Sequence, residues 1–334
     1  MEEAVYLNKR KRSKIWVYFV FILMFIPGVT SSFSFWQEKG NQEITYDVAV
    51  TAISIAVSVQ NKDGRHITDL AKEDFSVYEN GQEKEITYFS HDNGAPLSLT
   101  VLLDVSGSMA LQDKLKESKD ALNYLLNSLL SDSDEVSLLI FADGVVEVAS
   151  GFSRDKSHFL SVLEKTEAYG QTALNDAVGV SPDFANKGNC EKRALLLITD
   201  GIENDSEYSP EQAIEVARRV DVPIYSIGYK IPLDEQFLKK YKRSEGLTGA
   251  GIVRSLDRFS EATGGKAFFI NESLGMKNAM RLVKQELSHQ YILGYTSYVN
   301  SDNEFREIKV LTKKKSYRVR TREGYYSGEK KDSR

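Results

Sequence analysis

An aspartate and two serines stand at alternate positions in Asp104-Val105-Ser106-Gly107-Ser108, directly behind the apolar run Leu97 to Leu103. Carboxylate and hydroxyl oxygens are hard donors, and nothing soft accompanies them. Such a set suits Mg²⁺ or Mn²⁺ and suits zinc or copper poorly. Two later segments add the same kind of oxygen. Gly170-Gln171-Thr172-Ala173-Leu174 offers a hydroxyl in a glycine-led loop, and Ala194 to Ile198 runs into Thr199-Asp200-Gly201. Each piece alone has an ordinary reading. Asp and Ser are good helix N-caps, and Asp-Gly is a common turn. Three such pieces in this order favour a metal site over three coincidences.

The elements that must position these residues follow from the runs themselves. A short apolar run bounded by turn residues reads as a strand of a parallel sheet, buried on both faces. Its end is then the carboxyl edge of the sheet, where open α/β folds place their ligands. Between and beyond the runs, strands and helices alternate. A helix from about Asp113 to Leu130 puts Leu115, Leu122, Leu125, Leu126 and Leu129 on one face. Val136–Phe141 reads as a strand, Asp155–Lys165 as a helix, and Leu174–Asn186 as a helix that Pro182 should bend or end early. Pro223–Gly228 and Lys266–Ile270 read as strands, 256–263 as a helix closed by Gly264-Gly265, and Leu274–Leu287 as the last helix. This alternation predicts an α/β fold with a doubly wound, mostly parallel sheet over 95–288. Residues 230 to 255 show little periodicity and are expected to form a long loop near the carboxyl edge.

The flanks are different. Residues 44–92 alternate apolar and small polar side chains from Val48 to Val59, and Glu79-Asn80-Gly81-Gln82 marks a hairpin. A hairpin module of that size buries too little to stand alone. Residues 289–327 contain three more strand-like stretches, Gln290–Tyr295, Phe305–Leu311 and Ser316–Thr321. Two incomplete β modules around one α/β unit predict that they join into a small β-sandwich with the α/β unit inserted. The basic run Lys313-Lys314-Lys315 with alternating Arg318, Arg320 and Arg322 is expected to be an exposed, aggregation-deterring strand face.

Composition bounds the function. The chain has 334 residues, with 41% hydrophobic and 27% charged, which is ordinary for a folded protein. A net charge of −5 argues against a nucleic-acid binder. The single cysteine, Cys190, excludes an internal disulfide and a cysteine-based metal site, and reads as an ordinary loop thiol. The N-terminus reads as an export signal. Lys9 to Lys14 is a basic cluster, Ile15 to Val29 is almost wholly apolar, and Thr30-Ser31-Ser32 follows. Extended to Trp36, the segment 15–36 also has the length of a membrane anchor, with the basic side held in the cytoplasm. Residues 1–36 are therefore a signal peptide or an anchor. Either way the rest is exported, to the periplasm or the exterior. No Gly-x-Ser-x-Gly elbow, phosphate-binding loop or positioned nucleophile–base pair occurs, so an enzyme is not expected.

The set Asp104, Ser106, Ser108, Thr172 and Asp200 resembles the metal-ion-dependent adhesion site of von Willebrand factor type A (VWA) domains, with all the positions of that pattern present. The resemblance extends further. Phe75-x-Val77-Tyr78-Glu79-Asn80-Gly81, Ile86-x-x-Phe89, Thr263-Gly264-Gly265-Lys266, Gln290 to Tyr295, Arg306-x-Ile308-x-Val310 and Gly324-Tyr325-Tyr326 are similar to an exported bacterial group called VWFA-related, typified by Acidobacteria. The resemblance implies that Ser106 and Ser108 ligate the ion directly, Thr172 directly or through water, and Asp104 and Asp200 mostly through water. Two carboxylates then balance a divalent cation that stays electrophilic toward one more oxygen. The implied function is metal-dependent, adhesion-type binding of a protein partner that supplies an Asp or Glu. The alternative is a structural part of a cell-envelope assembly whose metal only stabilises the fold.

Overall fold

The computed structural model describes residues 49–91, 94–231, 248–299 and 303–327. The basic cluster and apolar segment of residues 1–36 lie outside the described residues, as does 232–247 of the expected loop. The chain opens with strands β1 (Ala49–Gln60), β2 (Phe75–Glu79), β3 (Gln82–Lys84) and β4 (Ile86–Ser90). Then follow β5 (Leu97–Asp104), α1 (Lys114–Tyr124), β6 (Glu135–Ala142), β7 (Val145–Ser153), α2 (Lys156–Lys165), α3 (Leu174–Ala185) and β8 (Lys192–Thr199). Next come α4 (Pro210–Ala217), β9 (Ile224–Tyr229), α5 (Gly249–Thr263), β10 (Ala267–Ile270) and α6 (Ser273–Ser288). Strands β11 (Gln290–Val299), β12 (Phe305–Thr312), β13 (Arg318–Arg320) and β14 (Gly324–Tyr326) close the chain.

The central sheet has the order β10-β9-β8-β5-β6-β7, parallel except for β7 on its edge. Every residue of β5 is buried, because helices cover both faces. Leu99, Val101 and Leu103 pack with Leu122 of α1, Phe159 of α2 and Met280 of α6. Leu102, on the opposite face, packs with residues of the cluster that contains Val178 of α3, Ala213 of α4 and Phe259 of α5. The chain leaves β5 toward β6 on one side and later returns as β8 on the other. The order reverses there, so a crevice opens at the carboxyl ends of β5 and β8.

The flanks form two antiparallel sheets, β13-β1-β11-β4 and β14-β12-β2-β3, each mixing strands from both ends of the chain. Ile55, Val57 and Val77 from the first flank and Leu293, Ile308 and Val310 from the second share one core. The expected fold class is therefore what the structure shows: a mostly parallel α/β sheet between segments that meet in a β-sandwich.

Several local expectations are corrected. Helix α3 runs through Pro182 to Ala185 instead of stopping. The proline removes one N–H, while the buried face holds the helix and Ser181 donates to the Ala177 carbonyl at 2.6 Å. The long helix after β5 ends as an α-helix at Tyr124 and continues as a π-helical turn over Leu125–Leu129. The helix expected at 256–263 starts earlier, at Gly249, where the Thr248 hydroxyl caps it. β7 and α4 were not anticipated. Cys190 lies in a loop as expected, and it is buried there, with its N–H on the Ser98 hydroxyl. Lys313, Lys314, Lys315 and Arg318 are exposed as expected, but Arg320 and Arg322 turn inward and pair with Glu286 and Asp221.

Candidate functional site

β5 carries Asp104 to the carboxyl edge of the sheet, and β8 ends one residue before Asp200. The two strands are parallel neighbours, so the carboxylates are held side by side, and both are 0% exposed. Asp104 Oδ1 accepts the Ser106 N–H at 2.9 Å, and Oδ2 accepts the Thr199 hydroxyl at 2.6 Å. Burial, with the charge of Asp200 added, outweighs these neutral donors and pushes the Asp104 carboxyl up to about 7. Asp200 Oδ1 accepts the Ile202 N–H at 3.1 Å. Its other oxygen, Oδ2, accepts the ε-ammonium of Lys114 at 2.7 Å. Gly201 makes the exit from β8 with φ +75°, and a Cβ there would lie 2.1 Å from the Ile252 side chain.

Ser106 sits where a helix N-cap sits, ahead of the 3₁₀ stretch Gly107–Asp113, yet its side chain makes no capping hydrogen bond. Its Oγ lies instead 3.2 Å from Oγ of Ser108. Both serines are nearly buried, at 1% and 7% exposure. The ordinary N-cap reading of this serine therefore does not describe its hydroxyl.

Thr172 is brought in by its loop. The Tyr169 N–H donates to the Val105 carbonyl at 2.7 Å, and the Gly107 N–H donates to the Gly170 carbonyl at 3.0 Å. These bonds lace the threonine loop to the serine loop. On its outer side, Asp143 accepts the Gln171 N–H at 2.6 Å, and its own N–H donates to the Gln171 carbonyl at 2.8 Å. Gly170 has φ +68°, and a Cβ there would lie 2.3 Å from the Asp143 carboxylate, so this close approach requires glycine. The Thr172 N–H donates to Asn204 Oδ1 at 2.8 Å, which ties the loop to the segment after Asp200. Thr172 is 1% exposed.

The structure thus gathers the buried oxygens of Asp104, Ser106, Ser108, Thr172 and Asp200 onto loops that hydrogen-bond one another at one sheet edge. Among the described residues no cluster of three or more His, Cys, Asp or Glu side chains could hold a metal. The gathered set has only two carboxylates, and the rest of its oxygens are hydroxyls. Glu203 accepts the Asn175 N–H at 3.0 Å and the Ser206 hydroxyl at 2.6 Å, so it is spent within the loop. Asp176 in the first turn of α3 accepts the Glu207 and Tyr208 N–H groups.

The sequence reading missed Lys114, Asp143 and Thr199. The place of Lys114 shows only in the fold. It is the first residue of α1, where a positive charge opposes the helix dipole. Gln112 and Asp113 before it both hold left-handed φ, at +55° and +56°, which costs on the order of 1 kcal/mol or more each for non-glycine residues. A misplaced charge behind two strained residues marks a position that the global structure dictates.

Residues 99–203 match the family model of the von Willebrand factor type A domain. An uncharacterized protein of Borreliella burgdorferi is 24% identical over 231 residues, which cover 65% of this chain and 66% of that protein. The chain thus spans just under two thirds of the length of that curated relative. The solved structure of the conserved hypothetical protein BatB from Bacteroides thetaiotaomicron is similar over 57% of this chain and 97% of that one, at 20% identity and a TM-score of 0.44. The vWF domain of the type V pili tip protein Mfa5 from Porphyromonas gingivalis is similar over 57% of this chain and 94% of that one, at 10% identity and a TM-score of 0.43.

Proposed function

We propose, on the premise that this chain carries a von Willebrand factor type A domain, that it is an exported protein-binding module dependent on a divalent metal. One observation supports the reading above the others. Two fully buried carboxylates stand side by side and, among the described residues, share a single ammonium, which pairs with Asp200; near them lie two serine hydroxyls 3.2 Å apart. Buried carboxylates that outnumber their cationic partners call for a cation or a proton. The donor chemistry fits Mg²⁺ or Mn²⁺, since every available atom is a hard oxygen.

Ser106, Ser108 and Thr172 would hold the ion through neutral oxygens. Asp104 and Asp200 would supply the charge, fixed in direction by the Thr199 hydroxyl and by the Ser106 and Ile202 N–H groups. When bound, the ion supplies a Lewis-acidic position for an Asp or Glu of the partner. The surrounding residues hold this geometry and position no nucleophile with a base, so the reading is binding and not catalysis. Export rests on the basic and apolar pattern of residues 9–34. Anchoring through 15–36 would keep the module at the membrane surface.

The test is capture from envelope extract by the protein lacking residues 1–36, in Mg²⁺ and in EDTA, beside Asp104→Ala. Capture should need Mg²⁺ and fail for the variant. Full retention under both perturbations removes the reading. A thermal shift with Mg²⁺ and no metal-dependent capture would instead favour a structural envelope component, because any ion that binds the native state raises its stability by mass action.

A further inference from the structure

Lys114 is a lysine at 3% exposure in a position that its own helix disfavours. Burying an ammonium costs several kcal/mol unless a charge meets it. Its Nζ meets Asp200 Oδ2 at 2.7 Å, and Asp200 is one of the two buried carboxylates of the crevice. Among the described residues Asp104 has no ammonium within hydrogen-bond distance, only neutral donors. The backbone that delivers Lys114 is strained for the purpose, with consecutive non-glycine residues at left-handed φ. The chain therefore places a tethered cation on the same oxygen that a divalent ion would draw upon.

We propose that Lys114 is a built-in counter-cation that competes with the divalent ion for Asp200 and so sets the affinity of the site. The inference rests on the metal-binding reading above and deepens it. The ammonium and a divalent ion are both positive and would sit within a few ångströms in a place shielded from water. Their repulsion is large at that distance. Ion entry therefore requires the Lys114 side chain to leave Asp200 Oδ2, and the cost of that movement is subtracted from ion affinity. In return, without an ion the site keeps its carboxylates partly neutralised and folded.

The measurement is calorimetric titration of wild type, Lys114→Met and Lys114→Gln with MgCl₂ and with MnCl₂ alone. Both variants should bind at least about tenfold tighter than wild type, since one opposing charge is gone. They should also melt lower than wild type in EDTA and regain the loss in saturating Mg²⁺. A second measurement needs no variant. Acetylation of Lys114 by acetic anhydride, read by peptide mass spectrometry on wild type, should rise several-fold when Mg²⁺ saturates the protein. If wild type binds Mg²⁺ and the folded variants bind it equally or more weakly, Lys114 is a structural ion pair and the proposal fails while the metal reading stands. Unchanged acetylation at saturating Mg²⁺ overturns it in the same way. If neither wild type nor variants take up either ion, both readings fall together. Uptake by the variants alone supports the competition directly.

Discussion

Two groups of buried carboxylates in this molecule, Glu79 with Glu286 and Asp104 with Asp200, are treated in opposite ways. In the β-sandwich, Glu79 accepts the Tyr295, Tyr325 and Ser297 hydroxyls and pairs with Arg306 and Lys84. Burial pushes Glu79 up, but those hydroxyls and the Lys84 charge more than offset it and hold it below the ordinary carboxylate range. Glu286 on α6 is buried too, and Arg320, Lys266, Ser58 and Gln60 surround it. Burial raises it, and Arg320 and Lys266 more than offset that. At the sheet edge the balance goes the other way, and Asp104 is pushed up to about 7. Glu79 and Glu286, which join distant parts of the chain, are each met by two cations and several donors. The carboxylates in the crevice are left short of positive charge, which is the condition for binding a cation.

Three measurements sharpen or break that contrast. The largest effect is expected at Glu286→Ala. It strands Arg320 and Lys266 at the junction of sandwich and central domain, and should cost about 3–5 kcal/mol in urea unfolding. A loss below about 1 kcal/mol would show that this carboxylate is no better satisfied than those of the crevice.

The next largest is pH dependence in EDTA. Asp104 has a folded value near 7 against an ordinary 3.8, so between those values the native state holds a proton that the unfolded chain does not. Its contribution makes stability fall as pH rises from about 4 to 7, at up to about 1.4 kcal/mol for each pH unit crossed. Glu286 acts in the opposite sense, because its folded value is depressed: its stabilisation is present above the ordinary 4.5 and lost as pH falls below it. Mg²⁺ affinity should also rise from pH 5 to 7.5 as Asp104 gives up its proton. Urea curves at pH 5, 6 and 7 and calorimetry over the same range test both signs. An affinity that does not change with pH would place Asp104 with Glu79 and Glu286.

The smallest effect belongs to Asp143→Ala. It removes the 2.6 Å bond to the Gln171 N–H and should cost about 1 kcal/mol, because Asp143 is exposed. The loosened Thr172 loop should still weaken Mg²⁺ binding by a few-fold. Unaltered affinity would show that Thr172 is held from the Asn204 side alone.

The sequence revealed β5 and β8 readily because strands buried on both faces read as unbroken apolar runs. β7 escaped notice because it is an edge strand whose residues are only partly buried, so its pattern is mixed. α4 has only 8 residues, and its one strong sign, the Ser209–Gln212 capping box with Pro210, lies in a polar stretch. The two flanks were recognisable as strands, but the faces of Arg320 and Arg322 were not. Which side of a strand is buried depends on the element opposite, and that element is α6 for Arg320.

The sequence alone determined the run-and-terminus pattern: two apolar strands that end in carboxylates, two hydroxyls at alternate positions after the first, and a glycine-led threonine between them in chain order. These are local facts, fixed by residue type and a spacing of a few positions. Only the tertiary structure decided which cation meets the carboxylates. Lys114 and Asp200 are 86 positions apart, and their ion pair exists because β5 and β8 are neighbours and the strained turn at Gln112-Asp113 aims α1 at the crevice. Long-range electrostatic contacts of this kind depend on distances that no local pattern encodes. The charge balance at the site was therefore legible only once the chain was folded.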